Sequence, residues 1–207
     1  MTTDITAVCV TYETAGLFRE CYEAFRMLYP EMQMIIIDGS DPSDPCYHYV
    51  KSLEGDCNKV IQTGSNIGHG KGMDIAIGHA RTKYVLLLDS DCIIQRNCLP
   101  EMLRMFDSET YGVGEIYLIG RDGLHVNPVR DVPYLRPYFA LVSREQYYKY
   151  PPYIHHGSPC IMAMLEHPVI KHYPVYDYVR HDFAGTRAMN KSKGRREIPG
   201  KWDINLK

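Results

Sequence analysis

The feature that most restricts the fold is a series of four short apolar segments, each ending in polar or glycine-rich chain and separated by helical periods. Residues 5–10 form an apolar run that stops at Thr11-Tyr12, the pattern of a buried strand. In residues 17–28 the apolar positions Leu17, Phe18, Cys21, Ala24, Phe25 and Leu28 recur at helical spacing, and Tyr29-Pro30 ends the segment. Residues 34–37 read as a second strand, followed by the loop chemistry of Asp38-Gly39-Ser40-Asp41-Pro42. Residues 47–53 read as a short helix, 59–62 as a third strand, 64–72 as a glycine-rich loop and 73–80 as the helix it feeds. The fourth strand, residues 84–88, stops at Asp89-Ser90-Asp91. This alternation predicts an α/β fold, a mostly parallel sheet with helices on both faces. Ligands of such sheets collect beyond the carboxyl ends of the strands. Thr11, Asp38, the 64–72 loop, Asp89 and Asp91 should therefore share one rim.

The second half is less regular. Residues 99–106 read as a helix with Pro100 in its first turn, and 113–119 as a strand. Residues 137–142 and 175–179 are expected to return to the sheet as strands, with a helix at 158–166. The tail, residues 191–207, carries Lys191, Lys193, Arg195, Arg196 and Lys201 and reads as a mobile basic segment. No internal repeat or boundary divides the 207 residues, a length that suits one domain with a sizeable core.

Composition removes several classes of function. The net charge of −2 offers no global basic field for nucleic acid or membrane. No apolar stretch approaches the ~20 residues of a membrane span. Residues 1–6 carry Asp4 and no long apolar run, unlike a signal peptide. The seven cysteines contain no C-x-x-C pair, against both a zinc site and a disulfide framework, and fit reduced thiols in a cytoplasmic protein. Seventeen tyrosines, many between Tyr134 and Tyr178, suit either flat platforms for a sugar or base or a polar-rimmed core.

Asp89-Ser90-Asp91 is the strongest chemical signal. Two carboxylates at i and i+2 directly after a buried strand can hold a hard divalent cation. Asp38 ends another strand, where a carboxylate either accepts from a base N–H or ribose hydroxyl or makes an Asx-turn. Three nearby patterns fail. The segment from Gly64 to Gly72 is no phosphate loop of Walker type, because five residues separate Gly64 from Gly70 and Gly72 stands where Ser or Thr must bind magnesium. Met73 occupies the last glycine of a dinucleotide motif. Ile94 and Pro100 occupy the glycine and glutamate of a calcium loop that would begin at Asp89.

Taken in order, Val8-Cys9-Val10-Thr11-Tyr12, Ile35-Ile36-Ile37-Asp38-Gly39-Ser40, Asn66-Ile67-Gly68 and Tyr84-Val85-Leu86-Leu87-Leu88-Asp89-Ser90-Asp91 resemble the family 2 glycosyltransferases. That resemblance implies the GT-A fold, with its mostly parallel Rossmann-like sheet, and transfer of a hexose from a nucleotide sugar, often UDP-linked. It implies a donor-binding half at 1–98, an acceptor-binding half at 99–190 and the basic tail beyond. Thr11 would lie near the base and Asp38 on the base or ribose. Asp89 would contact ribose or sugar, with Asn66 and Gly68 also on the donor. Asp91 would hold Mn²⁺ or Mg²⁺, and His181, in Tyr178-Val179-Arg180-His181-Asp182, would join it. Arg187 follows as a further donor contact.

Two departures stand out. Gly72-Met73-Asp74 replaces the family's usual Ala-Arg-Asn, so Lys71 is the expected source of positive charge. The usual acidic catalytic base is missing from His155-His156-Gly157-Ser158-Pro159, and His156 is the expected replacement unless transfer is retaining or activity is lost. The acceptor is left open among a glycan, a lipid-linked sugar, a protein and a hydroxymethylated DNA base. A sugar-nucleotide nucleotidyltransferase and a non-catalytic nucleotide-sugar-binding module are the alternative readings.

Overall fold

The computed structural model describes residues 4–124 and 128–181, so Arg187 and the basic tail lie outside the described residues. The chain runs β1 (Ile5–Thr11), α1 (Ala15–Leu28), β2 (Gln33–Asp38), α2 (Pro45–Lys51), β3 (Asn58–Gln62), α3 (His69–His79), β4 (Tyr84–Asp89) and β5 (Cys92–Ile94). It continues through α4 (Leu99–Arg104), β6 (Thr110–Ile119), β7 (Val132–Ser143), α5 (Arg144–Tyr147), α6 (Ile161–Leu165), β8 (Val169–His172), a 3-10 turn (Val175–Asp177) and β9 (Val179–His181).

Among the described residues, seven strands form one sheet in the order β3-β2-β1-β4-β7-β6-β8. Strands β1, β2, β3 and β4 pair in parallel, as do β6 and β8; β7 runs antiparallel to both β4 and β6. Parallel neighbours need crossovers, and α1, α2 and α3 supply them in the first half.

Side chains alternate across the sheet and define its two faces. Ile5, Ala7 and Cys9 of β1 join Met34, Ile36, Leu86 and Leu88 beneath Phe18, Cys21 and Phe25 of α1. Val8, Ile35, Ile37, Val85 and Leu87 pack on the other face against Met73, Ala76 and Ile77 of α3 and Ile161, Ala163 and Met164 of α6. Helices thus cover both faces, as the alternation predicts. Among the described residues no helix is long and apolar enough to cross a membrane.

The expected strand at 175–179 is corrected. It divides into the 3-10 turn and β9, and β9 pairs with β5 instead of the large sheet. The register Cys92↔His181 and Ile94↔Val179 makes a two-stranded ribbon of three-residue strands. Both are too short to show a period.

Helix α3 begins at His69, earlier than the glycines suggest. Gly70 and Gly72 sit in it because nothing larger fits. A Cβ at Gly70 would lie 2.4 Å from the His155 carbonyl oxygen, and one at Gly72 would lie 2.8 Å from a methyl of Val10. The close approach lets the Gly70 N–H donate to the His155 carbonyl at 3.0 Å.

Much of the tyrosine excess is core. Tyr111, Tyr134, Tyr147 and Tyr153 are fully buried. The Tyr111 hydroxyl donates to Tyr153 at 2.8 Å, that of Tyr147 donates to Asp74 at 2.6 Å, and that of Tyr134 accepts from the Cys160 N–H at 3.4 Å. All seven cysteines are free, and six are buried.

Gly70→Ala should destabilise the protein by about 1–3 kcal/mol, the scale of overpacking against atoms that cannot withdraw. Gly78→Ala, in the same helix with nothing within 4 Å of its added Cβ, should instead gain roughly 0.5–1 kcal/mol. Urea midpoints measure both. Wild-type stability in Gly70→Ala would show that the contact between α3 and residue 155 is not tight.

Candidate active site

The strand ends converge as expected. Thr11 is opposite Asp38, Val10 opposite Asp89, and Asp38 opposite Gln62. The loops beyond them interlock through polar contacts. The Gly39 N–H donates to the Thr11 carbonyl at 3.0 Å, the Glu13 N–H to Ser40 Oγ at 2.8 Å, and the Thr63 N–H to the Asp38 carbonyl at 2.9 Å. Glu13 takes a positive φ of 52°, a conformation few non-glycine residues adopt, to make this connection.

Asp38 is fully buried within the network. Its Oδ1 accepts from the Ser40 N–H at 3.0 Å and the Ser40 hydroxyl at 2.6 Å, the Asx-turn chemistry open to it from sequence. Its Oδ2 lies 3.4 Å from the Gln62 amide. Thr11 is equally enclosed, with its hydroxyl 3.1 Å from that of Thr14. Both residues shape the carboxyl rim of the sheet from beneath. Asn66 Oδ1 accepts from the Gly68 N–H at 2.9 Å, and Gly68, at φ 89°, turns the chain into α3.

Asp89 and Asp91 meet two histidines at the end of β4. His69 Nε2 lies 3.1 Å from Asp89 Oδ1. His181 Nε2 lies 3.1 Å from Asp91 Oδ1 and 3.8 Å from Asp89 Oδ2. His181 was expected here; His69 was not. It stands inside the glycine-rich segment that matches no phosphate motif, and its one available signal was its position at the carboxyl rim. Lys71 is exposed, about 200° around α3 from His69. The group that the structure places against Asp89 is His69.

Burial works against the charged His69 ring, but the adjacent Asp89 charge, aided by Asp91, outweighs it and raises its pKa. Burial likewise opposes ionisation of Asp89. His69 foremost, then His181 and Arg136, overcome that and hold its pKa below the ordinary carboxylate value.

The donor set at Asp91 and His181 fits a divalent cation. Ligands each about 2.1 Å from one ion stand about 3 Å apart in octahedral geometry, and the Asp91–His181 spacing is 3.1 Å. Carboxylate with imidazole suits Mn²⁺. The Cys92 sulfur lies within 4.8 Å of both groups. It is a poor ligand for such an ion: burial, with the nearby Asp89 charge, pushes its pKa well up, and the thiol donates to the Tyr138 carbonyl at 3.3 Å.

His156 reaches the site by an unexpected route. Residues 155–157 do not open a helix, since α6 begins at Ile161. Instead the His156 Nδ1 accepts from the His69 N–H at 3.3 Å, at the start of α3. With the His155 carbonyl on Gly70, two donors of the α3 N-terminus are already answered by this segment, so that end is no ready phosphate cradle.

Comparison with known proteins agrees with this architecture. The model of glycosyl transferase family 2 matches residues 6–168, and the chain belongs to that family. Solved structures with the same GT-A fold include the mannosyltransferase PcManGT from Pyrobaculum calidifontis in complex with GDP-Man and Mn²⁺, at a TM-score of 0.59 and 17% identity over 81% of this chain and 54% of that one. Residues 1-349 of S. aureus TarS in complex with UDP-GlcNAc give 0.60 and 15% over 89% and 61%. The galactosyltransferase LgtC, in complex with donor and acceptor sugar analogs, gives 0.59 and 12% over 94% and 97%. A Mycobacterium tuberculosis protein described as a glycosyltransferase is 33% identical over 75 residues, 36% of this chain. The chain spans 22% of that relative's length and about half of the mannosyltransferase.

The His69–Asp89 pair should make stability depend on pH. His69 is raised above its ordinary 6.5, so its contribution is in force below 6.5 and fades as pH rises through the raised value. Asp89 is lowered below its ordinary 3.8, so its contribution is in force above 3.8 and is lost as pH falls through the lowered value. The two overlap between pH 3.8 and 6.5. In metal-free protein, His69→Gln should therefore lose more stability in urea at about pH 5.5 than at about pH 8.5. An equal loss at both would contradict a charged pair.

Proposed function

We propose that this chain is a metal-dependent glycosyltransferase that moves a hexose from a nucleoside-diphosphate sugar, UDP-linked, to an acceptor hydroxyl. The observation that carries the reading is the pairing of Asp91 with His181 beside Asp89 and His69 at the carboxyl end of β4. Family membership supplies the reaction class, and neighbours of this fold were solved with GDP-Man and Mn²⁺ and with UDP-GlcNAc. Free, mostly buried thiols support a cytoplasmic protein.

In the transfer, the acceptor oxygen bonds to the anomeric carbon, the bond to the diphosphate oxygen breaks, and the proton of the acceptor hydroxyl is released to water. The electron pair leaves on the diphosphate. A bound Mn²⁺ or Mg²⁺ would neutralise that developing charge, and Asp91 and His181 are the residues to hold it. Asp89, kept ionised by His69, accepts from a ribose or sugar hydroxyl. Asp38 and Thr11 fix the loops that receive the nucleoside, with Asn66 and Gly68 beside them.

His156 suits a different part from the base its sequence position suggests. With its Nδ1 lone pair engaged by the His69 N–H, the neutral ring carries its proton on Nε2. That nitrogen can donate to an acceptor or phosphate oxygen; taking a proton as base would break the bond to α3.

Calorimetry tests the reading. Asp91→Ala should abolish Mn²⁺-dependent binding of UDP-sugar and leave the fold intact. Asp38→Ala should weaken UDP and UDP-sugar equally, because the loop it organises is remote from the sugar. Unchanged Mn²⁺-dependent affinity in Asp91→Ala would remove the metal from the proposal. Selective loss of UDP-sugar in Asp38→Ala would move Asp38 away from the nucleoside.

A further inference from the structure

We infer that Tyr138, anchored by Glu115 and Arg136, is a positioning residue that sets the orientation of His181 for metal binding; the inference rests on His181 being a metal ligand. His181 stands on a short piece of secondary structure. It ends β9, a three-residue strand whose sheet partner is the equally short β5, and a two-stranded ribbon is marginal by itself. On one side the ring borders a cavity of about 350 Å³, which Glu115, Arg136 and Tyr138 also line.

The rigid contact comes from the large sheet. The Tyr138 ring, in β7, stacks on the His181 imidazole with centroids 4.6 Å apart and planes 10° from parallel. A face-to-face contact of this kind restricts the tilt of the imidazole, and with it the direction of the Nε2 lone pair. Tyr138 is fixed in turn. Its hydroxyl donates to Glu115 Oε2, and Glu115 Oε1 accepts from Arg136 at 3.0 Å. The Arg136 guanidinium lies over the Tyr138 ring at 4.7 Å and over Tyr117 at 5.2 Å. Glu115 and Arg136 are each about four-fifths buried, so the ion pair is held in place. The Cys92 thiol, donating to the Tyr138 carbonyl, fastens the ribbon to the same residue. A chain of contacts thus runs from Arg136 to Glu115 to Tyr138 to His181, with each member touching the next.

Groups that orient a ligand without touching the metal typically change affinity about 10–100-fold when lost. The experiment titrates Mn²⁺ alone into the whole protein and follows the free aqua ion by electron paramagnetic resonance. Wild type, His181→Ala, Tyr138→Leu and Tyr138→Phe are compared, and thermal melts check that each is folded. The expected order is a large loss in His181→Ala, a rise in Kd of about 10–100-fold in Tyr138→Leu, and a smaller rise in Tyr138→Phe, which keeps the ring and loses the anchor. Wild-type affinity in His181→Ala would overturn the metal reading itself. Loss in His181→Ala with Tyr138→Leu within about twofold of wild type, well under the usual effect of such groups, would overturn the positioning role alone. If Tyr138→Leu does not fold, Tyr138→Phe decides, and a wild-type Kd there overturns the role.

Discussion

Ionised carboxylates at the margin of a dry core carry a heavy desolvation penalty unless cations answer them. β4, buried along most of its length, delivers Asp89 to that margin and Asp91 just past it. The imidazoles that meet them come from opposite ends of the fold. His69 arrives on the first turn of α3, and His181 on the last described residue of β9. Each arrival imposes its own conditions. α3 can begin early enough to present His69 only because Gly70 and Gly72 let it approach residue 155 and Val10. β9 can present His181 only because the chain leaves β4 through Ser90 and Asp91 into β5. The rim, the ribbon and the glycines are arranged around one cluster of charge.

The first half of this arrangement was legible in the sequence because its strands are apolar throughout and its helices keep a period. The four strand ends could be placed on one rim from their order alone, and the register confirms it. The failures have physical causes. β5 and β9 are each three residues long, too short for any pattern, and their pairing is a long-range event. The start of α3 was displaced because glycine normally argues against helix, whereas here two glycines serve close packing. His69 is hard to read from sequence for the same reason, lying in a segment that reads as loop. The tyrosines could have been platform or core; Tyr111, Tyr134, Tyr147 and Tyr153 are core because their hydroxyls find partners inside it.

The departures from the family pattern also have local explanations. Where an arginine is usual, Met73 is fully buried against the sheet, and its neighbour Asp74 accepts from the Tyr147 hydroxyl. A guanidinium at 73 would be sealed into that core. The positive partner of Asp89 is supplied instead from the first residue of the same helix, by His69. Where an acidic base is usual, the chain places His155 and His156, which close over the α3 N-terminus. The two departures are therefore connected, since the segment that lacks the carboxylate holds the helix end that carries His69.

The central claim is that Asp91 and His181 share a divalent cation when nucleotide is bound. Anomalous scattering from crystals grown with Mn²⁺ and UDP tests it most directly. One manganese peak about 2.1 Å from an Asp91 carboxylate oxygen and from His181 Nε2 is the predicted result. Bound UDP with no manganese at Asp91, or manganese held through the Cys92 sulfur instead of His181, would contradict it.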